Sequence, residues 1–358
     1  MSHRDHSSTV SIADASRTIT VGDGFPVHFI AEIGLNHNGS VDLAKELILA
    51  AVKSGATFVK FQKRSPKDLA TASFLDSEFR KSPHLGTTQR QIRDMLEIDA
   101  DGYQELQRFA QSLGAVFFAS PFDLASLEFL LGAGTGLIKI ASHSATNGPL
   151  LREINRQGLP TILSLGGTTL EEKDAAVAAL RDVPLILMHC VSEYPTPDNR
   201  MSLDSIDFLR SRYGVPTGFS SHEAGVDFST AAAVLGAALI ERHVTLGKSM
   251  AGPDHAISLR PEELAELVRG VRRIERGRGV ANGISTDEWA ARCAYHVSVC
   301  STRRIGKGEE IVASALVCKQ PLGDEGEYFT GWELEDLVGK VALAEIEADT
   351  PIRRAWLE

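Results

Sequence analysis

The run GLIKIASHSATNGPLLREINRQGLPTILSLGG, Gly136–Gly167, holds two short β-rich stretches, GLIKIAS and TILSLGG, with a helical segment between them. That is the pattern of two parallel strands joined by a crossover helix. Outward from it the same alternation runs from about residue 29 to residue 276. Six further strands are predicted: FIAEIG from Phe29, TFVKFQ from Thr57, AVFFASP from Ala115, PLILMHC from Pro184, PTGFSS from Pro216 and ALIERHVT from Ala238. Helical segments follow them, among them VDLAKELILAAVKSG and PEELAELVRGVRRIERG, the second opening with proline and acids as a helix N-terminus does. Eight strand–helix units predict an α/β fold, a (β/α)8 TIM barrel. An open doubly wound sheet is the competing arrangement, but no strand leads into a GxGxxG turn and eight units fit closure.

Composition narrows the partners. Hydrophobic residues make up 43% and charged residues 23%, an ordinary globular balance that excludes disorder for the bulk of the chain. Lys and Arg total 37 against 47 for Asp and Glu, and no basic block could track a phosphate backbone, so nucleic acid is not expected as a partner. The longest apolar stretch, Ala231 to Ile240, stops at Glu241, far short of the ~20 residues that span a bilayer. No membrane is expected. Residues 1–16 mix charge and hydroxyls without an apolar signal core, so they read as a flexible leader and the cytoplasm as the location. Cys190, Cys293, Cys300 and Cys318 form no CxxC pair and read as reduced core residues. The barrel is placed at residues 17–285 and a small β-rich domain at 286–358. In the latter, Ile305 and Ile311 repeat the spacing of Ile346 and Ile352 across similar polar turns, which predicts a pseudo-duplicated unit.

The C-terminal ends of barrel strands build the active site in this fold, because side chains there converge on one mouth. Polar residues gather at those ends: Glu32, Lys60, Gln62, Ser120, Lys139, Ser142, Ser164, His189, Ser220, His222, Glu241 and His243. A lysine on an interior strand needs a counter-charge, since unpaired burial costs several kcal/mol. An anionic ligand would supply it. With Ser120, Ser142, Ser164 and Ser220 offering hydroxyls from other strand ends, Lys60 and Lys139 point to phosphate oxygens. His222 and His243 end the seventh and eighth strands, neighbours in a closed barrel, and can share one metal ion. Asp254 in the GPDH turn and Glu32 add carboxylates. Such a set suits Mn, Fe, Co or Zn with positions left open for Lewis-acid chemistry. His189 and His255 read as ordinary structural histidines.

The stretches AEIGLNHNG (Ala31–Gly39), VKFQ (Val59–Gln62), SPFD (Ser120–Asp123), KIAS (Lys139–Ser142), NGPLL, LSLGG, LMHCVSEYPTP (Leu187–Pro197), GFSSHEAG, and IERHVTL with GPDH resemble the sialic acid synthase family. The similarity runs in order through nearly the whole chain, and the tail with VCKQPLG and LVGKVALAEI looks like that family's antifreeze-like domain. The resemblance implies condensation of phosphoenolpyruvate with an aldose or aldehyde acceptor to give a nonulosonic-type 2-keto-3-deoxy acid. It implies that Lys60, Lys139, Ser142, Ser164 and Ser220 hold the phosphate and carboxylate, with Gln62 nearby. It also implies that His222 and His243 bind a divalent metal, usually manganese, that Glu32 and Asp254 line the reacting centre, and that Tyr194 is kept beside it. A homodimer is implied, the small domain of one protomer covering its partner's barrel mouth.

The acceptor side departs from the family pattern. Ser144 stands where the family places a glutamate, Ser192 where some members carry an amide, and His84 aligns with an asparagine of some members in a variable loop. The family's KRPG, whose arginine reaches an N-acetyl group, is Lys319-Gln320-Pro321-Leu322 here. An acceptor other than N-acetylmannosamine is therefore expected, unless Lys319 or Arg200 replaces the lost contact. Three rivals remain: a standard N-acetylneuraminate or legionaminate-type synthase, a synthase of a seven- or eight-carbon deoxyulosonate phosphate, and a non-catalytic barrel that binds phosphoenolpyruvate or a sugar acid.

Overall fold

The structure, a computed structural model, describes residues 8–14, 17–79, 86–324 and 326–357. The chain divides into two compact units, Met1–Arg278 and Gly279–Glu358, a division earlier than the boundary read at residue 285.

In the first unit β1 (Thr9–Asp14) and β2 (Arg17–Gly22) form an antiparallel hairpin. Eight parallel strands then close a barrel: β3 (His28–Gly34), β4 (Phe58–Lys63), β5 (Val116–Pro121), β6 (Ile138–Ile140), β7 (Thr161–Ser164), β8 (Leu185–Cys190), β9 (Thr217–Ser221) and β10 (Leu239–His243). Each pairs with the next in sequence, and β10 returns to β3 with Leu239 opposite His28. Period-two alternation explains the layering. Ile30, Phe58, Val116, Phe118, Leu137, Ile162, Ile186, Met188 and Leu239 face inward and form one buried cluster. Their neighbours Phe29, Ala31, Val59, Phe61 and Phe117 face outward against Leu47, Ile48, Leu106 and Leu267 of the surrounding helices. The helices begin where the sequence provides caps: Ser40, Asp99 and Asp123 accept backbone N–H bonds at three starts, and Thr169 and Glu172 form a reciprocal capping box.

The flexible leader expected over residues 1–16 is not what residues 9–14 form. Val10, Ile12, Ile19 and Val21 are buried in the same cluster as the inward residues of the first strand turns, so the hairpin closes the N-terminal end of the barrel. The alternation TVSIAD and TITV carried the signal, masked by the hydroxyl-rich composition around it. Residues 1–7 lie outside the described residues.

The second unit holds a helix, Thr286–Tyr295, and the antiparallel pair β11 (Ser298–Ser301) and β12 (Leu316–Lys319). Ile305 and Ile346 exchange backbone hydrogen bonds of 2.9 and 3.0 Å, and Ile305, Ile311, Ile346 and Ile352 share one core. The repeated spacing therefore buries the same position of two similar turns. All four cysteines are free, but only Cys190 and Cys300 are buried; Cys293 is partly exposed, and Cys318 on β12 is exposed, contrary to the core reading. Among the described residues, no helix is long and apolar enough to cross a membrane.

Candidate active site

One layer above the apolar interior, the same parity turns Glu32, Lys60, Ser120, Lys139, Ser164, Ser220 and Glu241 inward, all buried. Lys60 Nζ lies 2.6 Å from Glu32 Oε2, 3.4 Å from Ser120 Oγ and 3.8 Å from Glu241 Oε1. Lys139 Nζ donates to both Glu241 oxygens at 3.1 Å, and Ser220 Oγ donates to Glu241 Oε1 at 3.0 Å. Gln62 Nε2 donates to Glu32 Oε1 at 2.9 Å. The counter-charge that the lysines need is thus supplied by two carboxylates of the barrel itself, and not by a ligand alone. Glu241 stood among the polar strand ends with no role assigned; only strand register shows that it bridges both lysines.

The two ammonium groups differ for a physical reason. Burial pulls Lys60 down, but the carboxylates of Glu241 and Glu32 outweigh it and hold the amine above its ordinary range. For Lys139, burial and the nearby Lys60 charge outweigh Glu241, so its amine sits lower than usual. Burial opposes ionisation of Glu241, yet Lys139 and Lys60 keep its carboxyl well below the usual range. Ser164 Oγ is buried with no hydrogen-bond partner, while Ser142 Oγ accepts from Gly166 N at 2.9 Å. An unpartnered buried hydroxyl is a group that a bound anion would satisfy.

His222 and His243 stand at the same mouth with ring centroids 5.6 Å apart. The Tyr194 ring covers them, 3.9 Å from His222 and 6.4 Å from His243. His222 Nδ1 lies 2.9 Å from the Val191 carbonyl, so Nδ1 carries the proton and Nε2 keeps its lone pair. Burial, and then His243, push His222 down to about 3, so it is neutral at any working pH. His243 Nδ1 is buried without a hydrogen-bond partner, 3.8 Å from Asp254 Oδ2. Two imidazoles, one of them with an orphaned nitrogen, beside a carboxylate fit a divalent metal with open positions. Among the described residues no three His, Cys, Asp or Glu side chains make a complete ligand set. His189 and His255 have partners elsewhere: His189 Nε2 lies 2.7 Å from Met201 O with its ring stacked on Phe219, and His255 Nδ1 lies 2.7 Å from Thr245 Oγ1, its Nε2 being buried without a hydrogen-bond partner.

Residues 47–282 match the model of the NeuB family. The chain belongs to the NeuB family. It is 35% identical over 338 residues to N,N'-diacetyllegionaminic acid synthase of Campylobacter jejuni, covering 90% of this chain and 98% of that protein. It is 33% identical over 338 residues to human N-acetylneuraminate-9-phosphate synthase, covering 93% of each. The crystal structure of N-acetylneuraminic acid synthetase from Leptospira borgpetersenii, in complex with citrate, superposes with a TM-score of 0.68 at 32% identity, covering 80% of this chain and 96% of that one. Membership makes the chain an enzyme, a sugar-acid synthase of the transferase class.

The divergent positions of this NeuB chain are only partly brought together. A Cβ on Gly166 would lie 2.6 Å from Ser192 Oγ, 2.9 Å from Ser142 Oγ and 3.1 Å from Cys190 O, so Ser192 adjoins the Ser142 end of the cluster. Ser144 is buried at the end of the short turn Ser142–Ser144. Gln320 lies in the second unit, is exposed, and donates its Nε2 to Tyr295 O. Arg200 pairs with Glu193 and Lys319 with Asp349, so both suggested replacements for the missing arginine are engaged. His84 lies outside the described residues.

One further buried histidine sets an expectation for this NeuB chain. His37, from the NHNG stretch, is 1% exposed and accepts from Gly39 N through Nδ1 at 3.0 Å. Burial, and then Arg64, push it down to about 4. Below about pH 6.5 the unfolded chain takes up a proton that the folded chain refuses. Stability is therefore full above that pH and falls as pH drops towards 4, by about 3 kcal/mol from this group. His222 adds a loss of the same sign. Urea midpoints at pH 7.5 and pH 5 should show the fall, and His37→Asn should lessen it without removing it.

Proposed function

We propose that this NeuB chain condenses phosphoenolpyruvate with an aldose or aldehyde acceptor, releasing phosphate and a 2-keto-3-deoxy sugar acid. The single observation that carries the reading is the Glu32–Lys60–Glu241–Lys139 cluster, with its unpartnered Ser164 hydroxyl, at the mouth that also holds His222 and His243. In the reaction C3 of phosphoenolpyruvate attacks the aldehyde carbon, water adds to C2, and the C2–O bond to phosphate breaks. Lys60, Lys139, Ser120, Ser142, Ser164 and Ser220, with Gln62, hold the phosphate and carboxylate and so position the nucleophile. Glu32, held by Gln62 and Lys60, takes the proton of the attacking water. Tyr194 shields the histidines from solvent, and Asp254 orients His243. A divalent cation, Mn2+ by preference, held by His222 and His243 would polarise the acceptor's aldehyde oxygen when bound. Charge balance supports it: the two lysines are already offset by two carboxylates, so an entering anion is best matched by a further cation.

On this reading the acceptor is not standard N-acetylmannosamine, because Ser144, Ser192 and Gln320 replace the family's groups while the anion-side positions are kept. The second unit is the antifreeze-like domain of a cytoplasmic homodimer, each covering the partner's mouth. Its exposed Trp332 (97%) and Tyr295 (70%) supply apolar surface for such a contact. Sedimentation at micromolar concentration should give a dimer; a monomer overturns that part. The relatives' names favour a second reading, a standard neuraminate- or legionaminate-type synthase. Phosphate release from phosphoenolpyruvate with Mn2+ and a panel of aldehydes decides. N-acetylmannosamine turning over as well as the best aldehyde, with no gain from Gln320→Arg, would establish the second reading. No release with any aldehyde would leave only a binding barrel.

Gly166 provides a further check. Any side chain there meets Ser142 Oγ, Ser192 Oγ and the Cys190 carbonyl at less than contact distance. Gly166→Ala should raise KM for phosphoenolpyruvate about tenfold or more, as a misplacement of about 1 Å does. Unchanged steady-state kinetics would remove Ser142 from the anion site.

A further inference from the structure

The ladder between β9 and β10 ends with Arg242 opposite Ser221. His222 and His243 are the next residues on each strand. On its other side β10 still pairs with β3 through His243 and Glu32, but on the β9 side no ladder bond remains to set the distance between the two imidazoles. What joins the strands there is a buried ion pair between the histidines' sequence neighbours. Arg242 Nη1 lies 3.0 Å from Glu223 Oε1 and donates to Gly225 O at 2.7 Å, while Nη2 donates to the Glu223 carbonyl at 2.9 Å. Both residues are 1% exposed. Glu223 is held in turn: Ser229 N donates to Oε1 and Phe228 N to Oε2, each at 2.8 Å.

We propose that the Arg242–Glu223 pair is a positioning device that fixes His222 and His243 at the spacing a shared divalent cation requires. The proposal rests on the reading of those histidines as the metal pair. Stability alone is a poor reason for the arrangement, because buried ion pairs are often replaced by apolar side chains without loss. Geometry supplies a better one. The planar guanidinium forks onto both the carboxylate and the main-chain carbonyl of Glu223, so it locks the backbone next to His222 to the backbone next to His243. A lysine, with a single rotatable ammonium, cannot hold both. The role is that of the groups behind metal ligands, whose loss typically weakens metal binding by 10- to 100-fold.

The test compares full-length wild type, Arg242→Met, Arg242→Lys and Glu223→Gln by titration calorimetry with MnCl2, with His222→Ala as control. Expected is a loss of Mn2+ affinity of at least tenfold in Arg242→Met and Glu223→Gln, and a smaller loss in Arg242→Lys, in protein whose circular dichroism matches wild type. Wild-type Mn2+ affinity in these variants, with only a lowered thermal midpoint, overturns the proposal. If Arg242→Met does not fold, Arg242→Lys and Glu223→Gln carry the same comparison. Equal Mn2+ binding by wild type and His222→Ala would sink the metal reading separately. Crystal structures of the variants then judge the positioning: an imidazole separation unchanged from 5.6 Å overturns it, and a widened one supports it.

Discussion

Glu241→Ala is expected to lower the thermal midpoint by about 10 °C and to abolish turnover. Glu241 accepts from Lys139 through both oxygens, from Ser220, and faces Lys60 at 3.8 Å. Without it Lys60 keeps Glu32, but Lys139 has no other carboxylate at ion-pair distance among the described residues. An unpaired buried charge costs about 3–5 kcal/mol, and about 2–4 °C of midpoint accompanies each kcal/mol in a unit of this size. The loss should be reversible by the ligand. Inorganic phosphate or phosphoenolpyruvate would restore a counter-charge, so either should raise the midpoint of Glu241→Ala more than that of wild type. Calorimetric scans with and without 10-fold increments of phosphate measure this, and equal shifts in both proteins would show that the lysines do not meet the anion.

His222→Ala has the second large effect, with the opposite balance between activity and stability. Turnover should fall by about 10³-fold or more, since the variant loses one of the two nitrogen donors proposed to hold the polarising cation. Stability should match wild type at neutral pH and exceed it in acid, where the variant loses less. The wild-type imidazole titrates at about 3 when folded and about 6.5 when unfolded, so wild type loses stability as pH falls from 6.5 towards 3. Alanine cannot take up that proton, so the His222 share of the loss disappears while the His37 share remains. Parallel measurements of phosphate release at pH 7.5 and of urea midpoints at pH 7.5 and 5 test both halves. A variant that keeps wild-type turnover would remove His222 from the centre.

The eight barrel strands were legible because each carries its own period-two signal, and the start of each observed strand lies within two residues of the start read from sequence. Their ends were harder. The apolar pattern from Gly136 continues through Ser142, yet β6 is only Ile138–Ile140, since the short turn Ser142–Ser144 takes over once the side chains reach the mouth. Hairpin β1–β2 was missed because its four buried residues alternate with hydroxyls and charge, and a short alternation looks the same whether or not a partner surface exists to bury it.

The positions of Lys60, Lys139, Ser164, Ser220, His222 and His243 at strand ends followed from the sequence by itself, because strand parity is local and the barrel mouth collects whatever polar groups end the strands. Which charges meet was decided only by tertiary structure. Glu241 neutralises Lys139 and approaches Lys60, Glu32 takes Lys60, and Glu223 reaches Arg242 where the β9–β10 ladder stops. Those pairings depend on the register of strands far apart in the chain and on the closing of β10 onto β3. Periodicity specifies which face a side chain takes, but only closure sets which carboxylate meets which amine.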